Sequence, residues 1–136
     1  MKGFWTIVVA SALACAGCHG KDSSTTAPTD TPKTDTFTGT VQVQGRGFHN
    51  FTVDNSGQVS VTLTSASPPS TIVMGIGVGT PGDNACGLLT GASVNTAAGS
   101  NAQLTGVVSP GTLCVTVFDV GNQTAPVAYT VTVVHP

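Results

Sequence analysis

Apolar and polar residues take turns along much of this chain, and that alternation restricts its fold more than any other feature. In "QVSVTLT" the apolar residues Val59, Val61 and Leu63 are each followed by Ser or Thr, and residues 127–134 ("VAYTVTVV") repeat the pattern. A period of two is typical of strands with one buried face and one wet face. No segment after residue 36 keeps an apolar stripe with the period of a helix, so we predict an all-β domain.

Clusters of turn-forming residues separate the alternating stretches, and they set the number of strands. These clusters are "DNSG" (54–57), "SPPS" (67–70), "TPGDN" (80–84), "SPG" (109–111) and "GNQTAP" (121–126). The spacing predicts seven or eight strands, over 37–44, 47–54, 57–65, 71–79, 86–90, 102–108, 111–120 and 126–135. Short strands at this spacing favour an antiparallel β-sandwich with jelly-roll or Greek-key connections.

The chain begins with a segment typical of export. Lys2 supplies a positive charge, and the apolar run at 4–14 ("FWTIVVASALA") has 11 residues. This run is too short for a bilayer, which needs roughly 20 residues as a helix, but it suits a signal peptide. We therefore predict a leader over residues 1–17.

Two cysteines follow the leader's apolar run, in "ALACAGCHG". Cys18 comes after Ala16 and Gly17, and this arrangement resembles the bacterial lipoprotein box, in which the cysteine after the cut is lipidated. Cys15 is the alternative lipidated residue. A disulfide or metal pair would need a folded context that a leader does not offer. The resemblance implies a palmitate-type acyl anchor on Cys18 at the cell envelope, and in a Gram-negative host His19 after the cysteine implies the outer membrane.

Residues 19–36 ("HGKDSSTTAPTDTPKTDT") contain no large apolar side chain. Such a segment cannot bury enough surface to offset the entropy of ordering, so we predict a disordered tether over residues 18–36, lipidated cysteine included. Residues 37–136 then form one domain of ordinary size.

The domain carries very little charge. Arg46 is its only Lys or Arg, and Asp54, Asp83 and Asp119 are its only acids. Nucleic-acid binding depends on clustered basic residues, so the composition argues against that class of partner. The membrane, reached through the lipid, and an envelope protein or polysaccharide are the partners that we expect.

Cys86 and Cys114 are the two cysteines of the domain. Because an exported compartment favours oxidation, we predict that they form a disulfide that joins strands across the sheets. The alternative, a free nucleophilic thiol, lacks a plausible nearby base. The segment "TIVMGIGVG" (71–79) precedes Cys86 and places Gly75, Gly77 and Gly79 on one side of a strand. Glycines in a strand mark close approach of a backbone or a ligand, and we favour tight packing here.

The domain contains few residues that could serve in catalysis. The possible general bases are His49, which we place on the face opposite Phe51 and Val53 and expect to face solvent, and His135, the penultimate residue, which we expect to fray. The nucleophile-elbow pattern and paired carboxylates are missing from the sequence of the domain. We therefore predict a protein that is not an enzyme and has no cofactor.

Two kinds of ligand site stay open from the sequence. Asp83 with Asn84, and Asp119 with Asn122, are oxygen ligands in predicted loops and are weak candidates for Ca²⁺. Carbohydrate sites use exposed aromatic rings, and Phe48 and Phe118 are the aromatic residues on the parity opposite to the buried faces. The residues thus leave a carbohydrate- or calcium-dependent recognition module as the alternative to a binding or structural accessory module.

Residues 37–136 as a whole resemble a known family. The opening "FTGTVQVQGRGFHNFTVDNSGQVSVTLTS", the "GIGVGTP" strand and the closing "GTLCVTVFDVGNQTAPVAYTVTVVHP" are similar to the small β-sandwich domains related to bacterial pre-peptidase C-terminal domains. The resemblance implies a sandwich with an accessory role in secretion, targeting or binding. It carries no catalytic residue to this chain.

Overall fold

The structure is a computed structural model that describes residues 30–136. The predicted leader (1–17), both candidate lipidation residues Cys15 and Cys18, and residues 19–29 of the predicted tether lie outside the described residues. Within the described range the chain forms eight strands and no helix, which confirms the all-β prediction. The strands are β1 (Lys33–Val41), β2 (Arg46–Val53), β3 (Gly57–Ser67), β4 (Val73–Gly82), β5 (Ala85–Ala97), β6 (Leu104–Val108), β7 (Gly111–Phe118) and β8 (Val127–His135).

The strands form two four-stranded antiparallel sheets, here named sheet A (order β1-β8-β3-β6) and sheet B (order β2-β7-β4-β5). Each strand of the first half of the chain pairs with its counterpart from the second half, so that β1 pairs with β8, β2 with β7, β3 with β6 and β4 with β5. A long hairpin of this kind, wrapped so that its strand pairs alternate between two sheets, is a jelly roll. The predicted sandwich is confirmed, with the jelly-roll connection.

The core lies between the sheets and is built from the alternating apolar residues. Val59, Val61 and Leu63 of β3 are at most 2% exposed, and Val131 and Val133 of β8 are fully buried. Sheet B contributes the inward residues of β2, β4 and β7, which are Phe51, Val53, Met74, Ile76, Val78, Leu113, Val115 and Val117. The period of two therefore determined which side of each strand is buried.

The folded domain begins earlier than the sequence suggests. β1 starts at Lys33, where the prediction placed the tether up to residue 36. These first residues pair in register with β8, from Lys33 opposite His135 to Thr36 opposite Thr132. They are polar, so no apolar pattern marks the strand, and polar partners hold it: Asp35 bonds His135, and Lys33 pairs with Asp54.

β5 is also longer than predicted, because it continues past residue 90 to Ala97. Its pairing with β4 is interrupted: Gly79 lies opposite Leu88, while Gly77 lies opposite Ser93. Between these two pairs, Val78 is the one residue of β4 that faces four residues of β5, and residues 89–92 therefore bulge out of the ladder. Residues 30–136 hold no helix with the length and hydrophobicity that a bilayer crossing requires.

Candidate functional site

The predicted disulfide between Cys86 and Cys114 is present, but it does not join the two sheets. Cys86 is in β5 and Cys114 is in β7, and both strands belong to sheet B with β4 between them. Two strands apart in a flat sheet, their Cα atoms would be separated by about 10 Å, whereas they are 5.8 Å apart. The start of β5 has therefore folded over the outer surface of β4, and the disulfide holds it there.

The glycines of β4 make this folding possible. A Cβ on Gly79 would collide with the backbone carbonyl of Gly87, so only glycine lets the backbones of β4 and β5 approach this closely. At Gly75 the ring of Phe118 occupies the space of a side chain, and at Gly77 the end of Leu88 does so. The glycine row is filled by its own neighbours, which confirms the prediction of tight packing.

The outer side of sheet B carries both aromatic residues that the sequence placed on the exposed parity. Phe118 lies opposite Arg46 on one neighbouring strand and opposite Gly75 on the other. Gly75 in turn lies opposite Asn95, so a cation, a ring and an amide share one row across the sheet. We call the residues Arg46, Phe48, Asn95 and Phe118 the outer platform.

Phe48 completes the platform one row further along. It lies opposite Thr116, two residues before Phe118 on β7. Diagonal neighbours of this kind are about 7–8 Å apart on a sheet. Both rings are half-buried, and Thr116 between them is only 3% exposed although it faces outward. The Thr116 hydroxyl donates to the carbonyl of Gly47 at 3.0 Å, so the polar group beneath the platform has a hydrogen-bond partner.

His49 does not face solvent, and the sequence prediction was wrong on this point. Its position shares the inward parity of Phe51 and Val53, and its ring stacks on Phe37 with a centroid distance of 4.8 Å and an interplanar angle of 6°. Its Nε2 shares a hydrogen bond of 2.9 Å with the hydroxyl of Tyr129. Burial lowers the pKa of His49 and raises the pKa of Tyr129, so it favours the neutral form of both groups.

His135 was expected to fray, and this was also wrong. It is the last residue of β8 and only 2% exposed. Its Nε2 lies 3.0 Å from the Oδ2 of Asp35, and its ring packs on Phe51 with centroids 5.3 Å apart. Neither His49 nor His135 hydrogen-bonds a serine among residues 30–136, so a Ser–His–Asp set is not assembled there.

The four candidate calcium ligands are divided between two ends of the molecule. Asp83 and Asn84 follow the last residue of β4, while the side chain of Asn122 donates to the carbonyl of Val73 at the first residue of β4. The strand between them has 10 residues and spans about 30 Å. The two pairs cannot share one ion, and no cluster of His, Cys, Asp or Glu suited to a metal is found in the described residues.

Asp119 instead organises its own loop. Its Oδ1 accepts from the backbone N–H groups of Gly121, Asn122 and Gln123, and its Oδ2 accepts from that of Gln44 at 2.8 Å. These bonds, with the one from Gln44 foremost, lower the pKa of Asp119. The carboxylate has a local structural task that is common for aspartate in turns.

A second surface feature lies at the edge of the sandwich formed by β5 and β6, opposite to the edge formed by β1 and β2. There the two sheets leave a gap between them. The gap encloses about 200 Å³. Its floor is formed by the buried Val59, Val61 and Val78, and its sides by residues 89–92 and 104–108. We call it the edge cleft. The sequence could not indicate it, because it depends on how residues 89–92 of β5 and residues 104–108 of β6 come together in the fold.

Comparison with known proteins adds no relative: neither a scan against protein-family models nor a search of curated proteins found a match. The resemblance to pre-peptidase C-terminal domains therefore stays a prediction from the sequence, and the candidate site rests on the geometry of this chain.

Proposed function

We propose that this protein is an exported bacterial lipoprotein, anchored through Cys18, whose β-sandwich is a non-enzymatic binding module at the cell envelope. The outer platform is the observation that carries the binding part of this proposal. The face of a sheet that contacts water ordinarily carries polar residues, whereas this face presents Phe48 and Phe118 beside Arg46, the only Lys or Arg after Lys33. Aromatic residues and Arg are enriched in recognition surfaces.

The anchoring part of the proposal is supported by the order of the segments. The lipoprotein-type box ends at Cys18, and β1 begins at Lys33, so residues 19–32 separate the proposed lipid from the domain. Fourteen residues reach at most roughly 50 Å when extended. That length lets the domain stand clear of a membrane surface while it stays attached.

Mass spectrometry of the membrane fraction tests the anchor. We expect the wild-type chain to begin at Cys18, to carry acyl chains and to need detergent for extraction. Cys18→Ala should abolish the modification, and Cys15→Ala should leave it unchanged. A wild-type chain that is soluble and unmodified would end the proposal, and modification that is lost only with Cys15→Ala would move the anchor to the alternative residue.

The second candidate function is carbohydrate binding at the outer platform. The diagonal placement of Phe48 and Phe118 gives two rings on one face, where sugar rings can stack, and Asn95 and Arg46 supply hydrogen-bond partners beside them. The platform and sugar chains of neutral polysaccharides both lack negative charge, so no repulsion opposes contact.

Retention on insoluble neutral polysaccharides tests this ligand class. The wild-type protein should be retained, and the Phe48→Ala/Phe118→Ala double variant should lose roughly 5- to 150-fold in affinity, since stacking on each ring contributes about 0.5–1.5 kcal/mol. Thr64→Ala, on the exposed outer side of sheet A, is the matched control and should bind as wild type. Equal retention of all three proteins would place any binding away from the platform.

A further inference from the structure

The free edge of sheet A is unusually apolar for an edge strand. Among residues 30–136, β6 pairs with β3 on one side only, and its central residues Thr105, Gly106 and Val107 are exposed. Val107 is 82% exposed, the highest value among the large apolar residues of the described chain. Proteins commonly protect such edges with charged side chains or proline, and the sequence of β6, "LTGVV", contains neither.

We propose that β6 is a self-association surface that pairs antiparallel with β6 of a second copy of this chain. The pairing is centred on Gly106, so that each Gly106 faces the other around a twofold axis. In that register Leu104 lies opposite Val108 of the second copy, and Thr105 lies opposite its Val107. A twofold interface requires a surface that is complementary to itself, and this strand meets the requirement at all five positions.

In the same register, side chains of the second copy also cover the edge cleft. Leu104 lies opposite the inward-facing Val61 of β3. Val108 lies opposite Gly57, which is two residues before the inward-facing Val59. The side of β6 that carries Leu104 and Val108 therefore faces the core. When a second β6 extends the sheet, its Leu104 and Val108 face the same way and cover the apolar floor of the neighbouring cleft. The exposed Val107 is then packed beside a threonine methyl group rather than left in water.

Charge and the rest of the chain favour a second copy over other occupants. β6 and residues 89–92 contain no charged residue, so two copies meet without like-charge repulsion. Residues 19–32, the part of the chain next to the domain, contain no large apolar side chain that could fill an aliphatic cleft. The apolar run at 4–14 is removed with the leader in the proposed function, so this inference rests on that cleavage, but it does not depend on the outer platform.

Disulfide trapping tests the register in the full chain. Gly106→Cys places a thiol at the position that faces itself across the axis, and a Cβ there meets nothing within 4 Å, so the fold should accept it. Thr64→Cys, exposed on β3, is the matched control, and both variants keep the same leader cysteines, so any background from those is equal. After mild oxidation of membranes or of detergent extracts, non-reducing gels should show a covalent dimer for Gly106→Cys at several times the control level.

Substitutions at Val107 supply the second readout. Val107→Lys added to Gly106→Cys should reduce the amount of covalent dimer to the level of the control, because two positively charged lysines at the interface repel each other. Val107→Thr should leave it in place. Dimer formation no greater than in the control, dimer formation that is insensitive to the lysine, or trapping of a different protein would each overturn the proposal.

Discussion

Replacement of Cys86 and Cys114 together by alanine should cost the fold a large part of its stability. The two residues are 28 positions apart in the sequence. For a loop of that size the chain-entropy model gives about 3.6 kcal/mol of stabilisation from the disulfide. For a domain near 100 residues, where 1 kcal/mol shifts Tm by roughly 4–8 °C, this corresponds to a drop in Tm of roughly 14–29 °C.

Urea unfolding, followed by circular dichroism, measures this loss. The oxidised wild type, the reduced wild type and the double variant should be compared, and reductant should have no further effect on the double variant. Since the disulfide holds the start of β5 over Gly79, amide exchange should accelerate most at residues 85–88. A loss below about 1 kcal/mol, with unchanged exchange there, would refute the argument that the disulfide keeps this segment in place.

Three further outcomes follow from the packing and the titrating groups. Gly75→Val should destabilise by about 1–3 kcal/mol, because its side chain needs the space of the Phe118 ring, whereas Gly106→Val, in open space, should change the unfolding free energy by less than about 0.5 kcal/mol. Tyr129→Phe should cost about 0.5–1.5 kcal/mol through the lost bond to His49, measured at pH 8. Burial lowers the pKa of His49 below its ordinary value of 6.5, so below pH 6.5 the unfolded chain binds more protons than the folded chain. Stability should therefore decrease as the pH is lowered from 6.5 to the pKa of the folded state. His49→Gln should remove that part of the slope, and an unchanged slope would contradict the burial of this ring.

The sequence anticipated the sandwich because its information is local. A period of two needs only neighbouring residues to be recognised, and the side of Val59, Val61 and Leu63 that it marks is the side that is buried. The disulfide partners followed from their number and the expected compartment. The same pattern failed at Lys33 and Asp35, where a strand is held by polar partners rather than by burial of apolar groups.

The histidines show the limit of that kind of information. His49 has inward parity, but a polar side chain is accepted there only because Tyr129 and Phe37 meet it from two other strands. His135 is buried because Asp35, one hundred positions away in the chain, supplies its partner. A hydrogen-bond partner at that separation has no trace in local sequence, so the predictions that His49 lies on the outer face and that His135 frays were both wrong.

Taken alone, the order of apolar and polar residues determined that this chain forms strands, which face of each is buried, and where most turns occur. Only the tertiary structure decided which strands became neighbours. That pairing set Phe48 and Phe118 on one face of sheet B, separated the Asp83 and Asp119 loops to opposite ends of β4, and opened the edge cleft beside β6. The reason is that a side-chain period is fixed within one strand, whereas a surface is made by residues that meet only after the chain has folded back on itself.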